Sequence, residues 1–346
     1  MSLPEKNLSL VIKEFGKNLR EATEIRSLAL TKPPPGNALV KMKFASINES
    51  DTVFISGDYD PVGCTPPITA GLEGLGQVVA VADDVTLKVG QCVVVIHQGC
   101  FAEYVTAPAY TLVAVPSLDP GLVPVVLGGL TASITLEQEA DLRKGSTVLV
   151  TAAGQGTGQL AVQMAKMVGC HVIGTCSSQD KVDFLRSIGC DRIINFSQEN
   201  LGDVLGKEYP DGIDVIYERM GKETFDVCVE NLAVKGRLII VGSISSYDRD
   251  SQELAGESGF QSKLPVALMC LRKSASIRGF TLRHYHSEYP RYMGLLMSQY
   301  TEGKLKVTYD NGNRASNGPF KGLDKVLDAI EYMLSRRHIG KVIVEI

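Results

Sequence analysis

The hydrophobic pattern changes about one third of the way along the chain. Before residue 127 the apolar residues form short alternating or β-branched runs, such as residues 38–44, 76–81 and 91–96, bounded by glycines and prolines. Short strands of this kind predict a compact, barrel-like β domain. After residue 127 strand-like runs alternate with helical patterns, which is typical of a parallel sheet with crossover helices.

Six strand-like runs and the helices between them describe a complete doubly wound sheet. Strands are predicted at 148–151, 171–176, 192–195, 213–217, 236–242 and 276–282, and helices at 159–168, 181–188, 223–234 and 261–272. The tail carries two helical patterns, 289–301 and 323–335, and a final strand. Because the sheet is complete by residue 282, we expect the tail to return to the first domain. The predicted domains are 1–127 with 283–346, and 128–282.

A glycine-rich turn follows the first strand of this sheet. It contains Gly154, Gly156, Thr157 and Gly158, and apolar residues at helical spacing follow it. Glycines let the backbone approach a diphosphate, and the amides and dipole of a helix N-terminus favour its negative charge. A strand–turn–helix without a ligand is the alternative. The surrounding sheet favours a dinucleotide site.

The end of the second strand indicates which dinucleotide binds. An NAD site places an Asp or Glu there, about 20 residues past the glycines, to bind the ribose 2′-hydroxyl. This chain has Cys176, Ser177 and Ser178 instead, with Lys181 one helical turn further. A hydroxyl and a cation suit a 2′-phosphate, so we predict NADPH. Against this, Lys181 could be an exposed lysine at a helix start, and the adjacent Asp180 weakens the positive field.

Composition narrows the function classes. The 346 residues are 44% hydrophobic and 21% charged, with a net charge of −4, which predicts no nucleic-acid partner and no anionic membrane surface. The most apolar segment, 122–134, is too short to span a bilayer. Eight scattered cysteines without a C-x-x-C pair suit a reducing compartment. With no signal peptide and no C-terminal Ser-Lys-Leu, we expect a cytoplasmic protein.

One segment has the shape of a zinc signature without its ligands. Residues 71–76 match the G-H-E-x-x-G pattern of zinc alcohol dehydrogenases, but Leu72 stands in place of the ligand histidine. Asn48 stands in place of that family's catalytic cysteine. Neither side chain supplies the thiolate or imidazole that tetrahedral zinc requires. We therefore predict no metal.

On these residues, and on residues 101–104, 148–153, 171–178 and 273–276, the chain resembles the medium-chain dehydrogenase/reductase superfamily, in its zinc-independent branch. The resemblance implies a GroES-like β-barrel catalytic domain and a six-stranded Rossmann domain that binds NADP. It implies an NADPH-dependent reductase of the carbon–carbon double bond of α,β-unsaturated ketones such as 15-oxoprostaglandins. Quinone reduction is the alternative. Relatives form homodimers, and some are peroxisomal.

The resemblance also implies site residues. Asn48 and Tyr59 match polar positions of the substrate pocket, where we expect Tyr59 to stabilise the carbonyl oxygen and Asn48 to position the substrate. Cofactor contacts are expected from residues of the glycine turn, the strand ends and the following loops: Thr131, Gly154, Gly156, Thr157, Gly158, Ser177, Lys181, Gly242, Ile244, Tyr247, Phe280 and Leu282.

Three departures from the family pattern bear on the cofactor. Gln155 replaces a glycine and could crowd the diphosphate, Phe196 replaces a tyrosine that reaches the 2′-phosphate, and Arg219 replaces a small residue. Arg219 would either contact a phosphate or obstruct the site. These departures keep a non-catalytic dinucleotide-binding protein as a further alternative. The polar loop at 245–261 is predicted to be a lid, and the strand at 276–282 is predicted to pair across a homodimer.

Overall fold

The computed structural model describes residues 4–58, 63–247, 262 and 264–346, with the side chains of Ser246 and Tyr247 excepted. Tyr59 and most of the predicted lid lie outside these residues. Contacts divide the chain into two units, residues 1–126 with 308–346 and residues 127–307, which we call the first unit and the second unit. No helix within the described ranges is long and apolar enough to cross a membrane.

The structure contains sixteen strands and ten α-helices within the described residues. The strands are β1 (Lys6–Ile12), β2 (Thr23–Ala29), β3 (Asn37–Ser46), β4 (Ile68–Thr69), β5 (Gly74–Val81), β6 (Cys92–Val95), β7 (Tyr104–Pro108), β8 (Leu112–Val115), β9 (Thr147–Val150), β10 (His171–Cys176), β11 (Arg192–Asn195), β12 (Ile213–Glu218), β13 (Leu232–Ile240), β14 (Ser276–Gly279), β15 (Tyr309–Asp310) and β16 (Lys341–Glu345). The helices are α1 (Leu19–Ala22), α2 (Glu49–Ser56), α3 (Leu122–Ile134), α4 (Gly156–Val168), α5 (Gln179–Ser187), α6 (Leu201–Glu208), α7 (Lys222–Glu230), α8 (Val266–Lys273), α9 (Tyr289–Thr301) and α10 (Val326–Leu334).

The first unit is built on a sheet in the order β15-β16-β3-β5-β6-β8, with β7 also paired to β3. A second sheet has the order β2-β1-β4. Strand β3 is central in the larger sheet because it pairs along both edges, and its consecutive residues 38–40 are buried, with Val40 opposite Val78 of β5. Strand β16 runs antiparallel to the other edge of β3. Strand β16 therefore belongs to the sheet of the first unit.

The sequence pattern predicted an all-β first domain, but the first unit also contains helices. Helix α2 interrupts the strands after β3. Its first turn is fixed by a reciprocal cap in which the Asn48 backbone N–H donates to Asp51 Oδ2 at 2.7 Å. Gly57 ends the helix in a left-handed conformation with a φ of 86°. The helix is short and its central residues are all buried, so it lacks the amphipathic period that would identify it in the sequence.

The second unit contains the predicted six-stranded parallel sheet, in the order β11-β10-β9-β12-β13-β14. The order reverses between β9 and β12, which are neighbours in the sheet although two strands separate them in the chain. Both strands are mostly buried, as expected for a parallel sheet covered on two faces. The predicted doubly wound architecture is confirmed. A ligand is expected at the carboxyl ends of the strands at this reversal.

The division into units differs from the sequence-based domain boundary by residues 283–307. These residues belong to the second unit, with α9 among them. Tyr292 and Leu296 of α9 are buried there. A Cβ added to Gly129 of α3 would lie 2.9 Å from Leu296, and Gln138 donates to the Tyr292 hydroxyl at 3.2 Å. Helix α9 therefore extends the second unit beyond its finished sheet.

Candidate functional site

The glycine turn, residues 151–158, connects β9 to α4 in the second unit. Gln155 is the N-cap of α4 and has an extended backbone, so the helix begins at Gly156. A Cβ on Gly158 would lie 2.6 Å from Ala152 O and 2.8 Å from Ala153 Cα. Only glycine allows the first turn of α4 to pack this closely against the turn. The amides of the first helical residues lack partners within the helix and can bind an anion.

Lys181 of α5 lies directly against this turn. A Cβ on Gly154 would be 3.5 Å from the Cβ, Cγ and Cδ atoms of Lys181. The lysine is only 3% exposed, so it is not the solvated helix-start lysine that the sequence left open. The turn is also bound to the end of β10, since Ala152 N donates to Thr175 Oγ1 and Ala153 N donates to Thr175 O, both at 3.0 Å. Two predicted site residues, Gly154 and Lys181, are thus brought together.

The neighbourhood of the β10 end includes two further predicted residues. Ser177 follows β10 directly and is partly buried. Phe196 follows β11, and its backbone N–H donates to Cys176 O at 3.0 Å. Its ring is 46% exposed. Phe196 therefore lies beside the β10 end, but it offers no hydroxyl to a phosphate.

Arg219 follows β12, on the other side of the strand reversal. Its backbone N–H donates to Thr151 Oγ1 at 2.8 Å, and its Nη1 donates to Ala152 O at 3.3 Å. Before it, burial raises the pKa of Glu218, whose carboxylate accepts hydrogen bonds from the amides of Met220 and Gly221. Arg219 is 8% exposed. It is therefore a buried cation at the first residues of the glycine turn.

Gly242 and Ile244, after β13, lie beside Arg219. A Cβ on Gly242 would be 3.6 Å from Arg219 O, and the Ile244 N–H donates to the same oxygen at 2.8 Å. Phe280 follows β14, is buried, and stacks on Tyr285 at 4.9 Å between ring centroids. These residues line up after consecutive strands, where strand-end ligands bind.

For the remaining predicted cofactor residues the structure shows only local contacts or backbone positions. Leu282 is partly buried and begins a short 3₁₀ helix instead of ending β14, which stops at Gly279. Thr131, within α3, uses its hydroxyl to donate to Leu127 O at 2.7 Å. Thr157 lies beside α3, since a Cβ on Gly128 would be 3.5 Å from its Cα. Tyr247 ends a 3₁₀ helix that begins at Ile244, but its side chain is outside the described residues, as is all of Tyr59.

In the first unit, Asn48 belongs to a buried polar cluster. Its Nδ2 donates to Glu73 Oε2 at 3.3 Å, and Lys341 Nζ donates to its Oδ1. Glu73 Oε2 also accepts from Ser46 Oγ at 2.7 Å and pairs with Lys341 Nζ at 3.1 Å. The Asn48 amide is therefore held on both sides, which fits a positioning role and gives it a fixed orientation.

Burial shifts the ionisation of the groups around this cluster. Asp51 is fully buried, and desolvation raises its pKa to about 7 although the Asn48 N–H opposes the shift. Burial also raises the pKa of Cys100, helped by the charges of Asp51 and Glu73. One oxygen of Asp51 and one of Glu73 have no hydrogen-bond partner among the described residues. The cluster thus contains an acid that titrates near neutral pH.

The position that would hold a zinc ligand is apolar. Leu72 packs against the hydrophobic cluster that includes Phe54 and Phe101. No group of three or more His, Cys, Asp or Glu side chains in the described part of the chain is arranged to hold a metal ion.

Sequence reasoning missed the pairing of Glu73 with Lys341. Glu73 was visible only as part of the altered zinc signature. Lys341 lies 293 residues after Asn48, at the start of β16, in a segment recognisable only as a strand. No local sequence pattern links such distant residues. They are brought together because β16 pairs with β3 in an antiparallel register.

Comparisons with known proteins agree with this architecture. The model of the zinc-binding dehydrogenase family matches residues 156–298, and the alcohol dehydrogenase GroES-like domain matches residues 34–117. The solved quinone oxidoreductase of Pseudomonas syringae pv. tomato is 26% identical, covers 98% of this chain and all of its own, and superposes with a TM-score of 0.83. The predicted combination of a GroES-like domain with a Rossmann domain is confirmed.

Two sequence relatives are reductases by name, and a third is a probable oxidoreductase. Prostaglandin reductase-3 of Bos taurus is 42% identical over 100% of this chain and 91% of its own length. A probable quinone oxidoreductase of Leishmania amazonensis is 40% identical over 100% of both chains. The NADP(+)-dependent 2-alkenal reductase of Nicotiana tabacum is 33% identical over 62% of this chain and 59% of its own. The chain belongs to the medium-chain dehydrogenase/reductase family of oxidoreductases.

Proposed function

We propose that the chain is an NADPH-dependent reductase of the carbon–carbon double bond of α,β-unsaturated ketones and aldehydes. The observation that carries the proposal is the surroundings of the glycine turn. Lys181 is buried against Gly154, and the end of β10 offers serines and no carboxylate. A buried cation beside serine hydroxyls suits a 2′-phosphate.

The residues present fit NADPH. The first amides of α4 would hold the diphosphate, which the close packing at Gly158 allows the backbone to approach. Ser177 and Lys181 would hold the 2′-phosphate. Gln155 Oε1 is buried without a partner among the described residues, and a ligand hydroxyl could supply its hydrogen bond. The nicotinamide end is assigned to Thr131, Gly242, Ile244, Tyr247, Phe280 and Leu282. Bound NADPH would supply a hydride.

The substrate groups are assigned to the first unit. Reduction of an enone adds hydride to the β-carbon and a proton to the α-carbon, and negative charge develops on the carbonyl oxygen in between. Asn48 Nδ2 carries two hydrogens, of which one serves Glu73, so the other can be donated to that oxygen. We assign the second donor to Tyr59. If Tyr59→Phe has the wild-type turnover number at saturating cofactor, Tyr59 is not the second donor.

The similarity to prostaglandin reductase-3 and to a 2-alkenal reductase supports enones and alkenals as the substrate class. Quinone reduction is the second candidate, favoured by the 40% identical quinone oxidoreductase relative. Both reactions would use the same cofactor site. The test is the rate of NADPH oxidation with a 15-oxoprostaglandin, a medium-chain alkenal and a benzoquinone, each repeated with NADH.

We expect the enone or the alkenal to give the highest kcat/KM, and NADPH to exceed NADH by at least about tenfold, since charge-assisted hydrogen bonds to the 2′-phosphate contribute about 1.5–3 kcal/mol. A quinone-only activity would replace the first candidate with the second. Dinucleotide binding without turnover of any substrate would support the non-catalytic alternative.

We also propose that the chain forms a homodimer through β14. This strand has β13 on one side and no strand on the other among the described residues. Apolar side chains on the adjoining elements are exposed, with Leu271 at 76% and Val234 at 71%. A second copy would pair with the open edge and cover these residues.

A further inference from the structure

Arg219 stands where the sheet reverses its order. It is the first residue after β12, and the turn after β9 begins with Thr151 and Ala152, which accept its two hydrogen bonds. Ligands of doubly wound sheets bind in the crevice outside the carboxyl ends of these two strands. The guanidinium therefore lies at the base of the glycine turn, on the opposite side from Lys181, which contacts Gly154.

The Arg219 guanidinium is buried, and although the Glu218 carboxylate attracts it electrostatically, most of its hydrogen-bond donors are unused within the described residues. A guanidinium has five N–H donors, and a single hydrogen bond at 3.3 Å engages this one within the described part of the chain. No ion pair within 4.0 Å reaches it there. The adjacent Glu218 carboxylate accepts from the Met220 and Gly221 amides at 2.7 and 3.0 Å instead. Burying a guanidinium whose donors are mostly unused is costly, so this arrangement indicates an anionic ligand.

We propose that Arg219 binds the diphosphate of the dinucleotide. The proposal rests on the proposed function only in requiring a dinucleotide at this site. It divides the work between two buried cations. Arg219 binds the part that NADPH and NADH share and sets the affinity for both, whereas Lys181 binds the 2′-phosphate and sets the choice between them. The alternative is that Arg219 only braces Ala152 O.

The experiment compares Arg219→Met and Arg219→Lys with Lys181→Met by calorimetric titration. The ligands are NADPH, NADH, ADP-ribose, which has the diphosphate but neither nicotinamide nor 2′-phosphate, and adenosine 2′-monophosphate, which lacks the diphosphate. We expect Arg219→Met to weaken NADPH, NADH and ADP-ribose by similar factors of about 10- to 100-fold. The affinity of Arg219→Met for adenosine 2′-monophosphate should equal that of the wild type. Lys181→Met should weaken only NADPH and adenosine 2′-monophosphate.

A second readout separates binding from a structural role. In Arg219→Met a guanidinium that makes one long hydrogen bond within the described residues is lost, so the ligand-free melting temperature should change little, while the rise in melting temperature with NADH shrinks. Arg219→Lys keeps the charge but loses the planar donors, so it should bind with intermediate affinity.

Unchanged affinity of Arg219→Met for NADH and ADP-ribose would overturn the proposal, as would a loss confined to the ligands that carry a 2′-phosphate. If the wild type binds dinucleotides but reduces no enone, the proposed function is contradicted. The affinities of the Arg219 and Lys181 variants still test the role of Arg219 in that case. A wild type that binds no dinucleotide would overturn both.

Discussion

Two lysine–glutamate pairs of the first unit differ in burial. The Lys341–Glu73 pair has side chains 12% and 0% exposed, whereas those of the Lys43–Glu345 pair are 43% and 33% exposed. We expect Lys341→Met to lower the free energy of unfolding by about 3–5 kcal/mol, because it leaves the buried Glu73 carboxylate unpaired. Lys43→Met should cost about 0–1 kcal/mol. Urea denaturation measures both.

Equal losses in the two lysine variants would contradict this assignment of burial. The double variant Lys341→Met with Glu73→Gln adds a further check, because it removes both charges. It should recover part of the stability that Lys341→Met loses, and it does so only if the unpaired carboxylate causes the loss.

Asp51 makes a pH-dependent contribution to stability. Its pKa is raised from 3.8 to about 7 in the folded protein. Between these values the folded state holds a proton that the unfolded state has released, so its contribution to the free energy of unfolding falls as pH rises from about 4 to 7. In Asp51→Asn this decline is absent. Relative to the wild type, the variant should gain about 3 kcal/mol between pH 5 and pH 8.

The measurement is denaturant unfolding at both pH values. Asp83→Asn, at an exposed position, is the matched control for an aspartate-to-asparagine change. If the stability of Asp51→Asn relative to the wild type is the same at pH 5 and pH 8, Asp51 is ionised throughout and the burial argument fails.

Residues whose chemistry is local were predictable from the sequence. The missing acid after β10, the serines there and Lys181 could be chosen from their spacing to the glycines, and in the structure Lys181 lies against Gly154. The burial of Arg219 was not predictable. It depends on the neighbouring positions of β9 and β12, which are far apart in the chain. The charge of Arg219 indicated a possible phosphate contact in the sequence. Its position at the glycine turn follows only from the order of the strands in the sheet.

At the level of elements, the contact between α4 and the glycine turn depends on one missing methyl group. In Gly158→Ala the added Cβ would overlap Ala152 O and Ala153 Cα, which are backbone atoms that cannot rotate away. We expect a loss of about 1–3 kcal/mol in stability and weakened dinucleotide binding. The matched control is Gly206→Ala in α6, where nothing lies within 4 Å. That change should stabilise the protein by about 0.5–1 kcal/mol.

Thermal unfolding and NADPH titration of the two glycine variants test the argument together. If Gly158→Ala melts and binds like the wild type, the helix does not pack as closely as described. A destabilised Gly206→Ala would indicate that the difference reflects glycine replacement in general.

Elements with a clear period or composition were predicted well, whereas those set by tertiary contacts were not. Strands β10 and β11 occupy the predicted residues, because each is an apolar run between polar boundaries. Helix α7 ends at Glu230 and β13 already begins at Leu232, although the helical pattern continued to residue 234. Strand pairing with β12, which starts opposite Leu232, overrides that local preference.

At the scale of the whole molecule, the proposed dimer predicts a mass in solution of twice the 37.3 kDa chain. Leu271→Asp should weaken association by placing a charge in the buried interface. Val89→Asp, at a residue 63% exposed in the first unit, is the control and should remain dimeric. Sedimentation analysis distinguishes the two. A wild-type monomer, or equal behaviour of both variants, would contradict dimerisation through β14.

The doubly wound sheet of the second unit was predictable from the sequence, but the packing of a later helix on that unit was not. The pattern marks where a sheet is complete and carries no information on whether a later helix packs on it. Helix α9 does so through Tyr292 and Leu296, two side chains that an isolated helical pattern cannot assign to a partner.

The pairing of β16 with β3 has a consequence for biosynthesis. Val344 stands opposite Ala45, so the first unit needs residues made about three hundred positions apart. The second unit is one continuous segment, 127–307, and can acquire its structure while the ribosome is still translating. The first unit, whose initial segment precedes the second unit in the chain, is therefore completed after it. Until β16 is made, part of the edge of β3 is unpaired and can bind strands of other chains. A chaperone would be of most use at that stage.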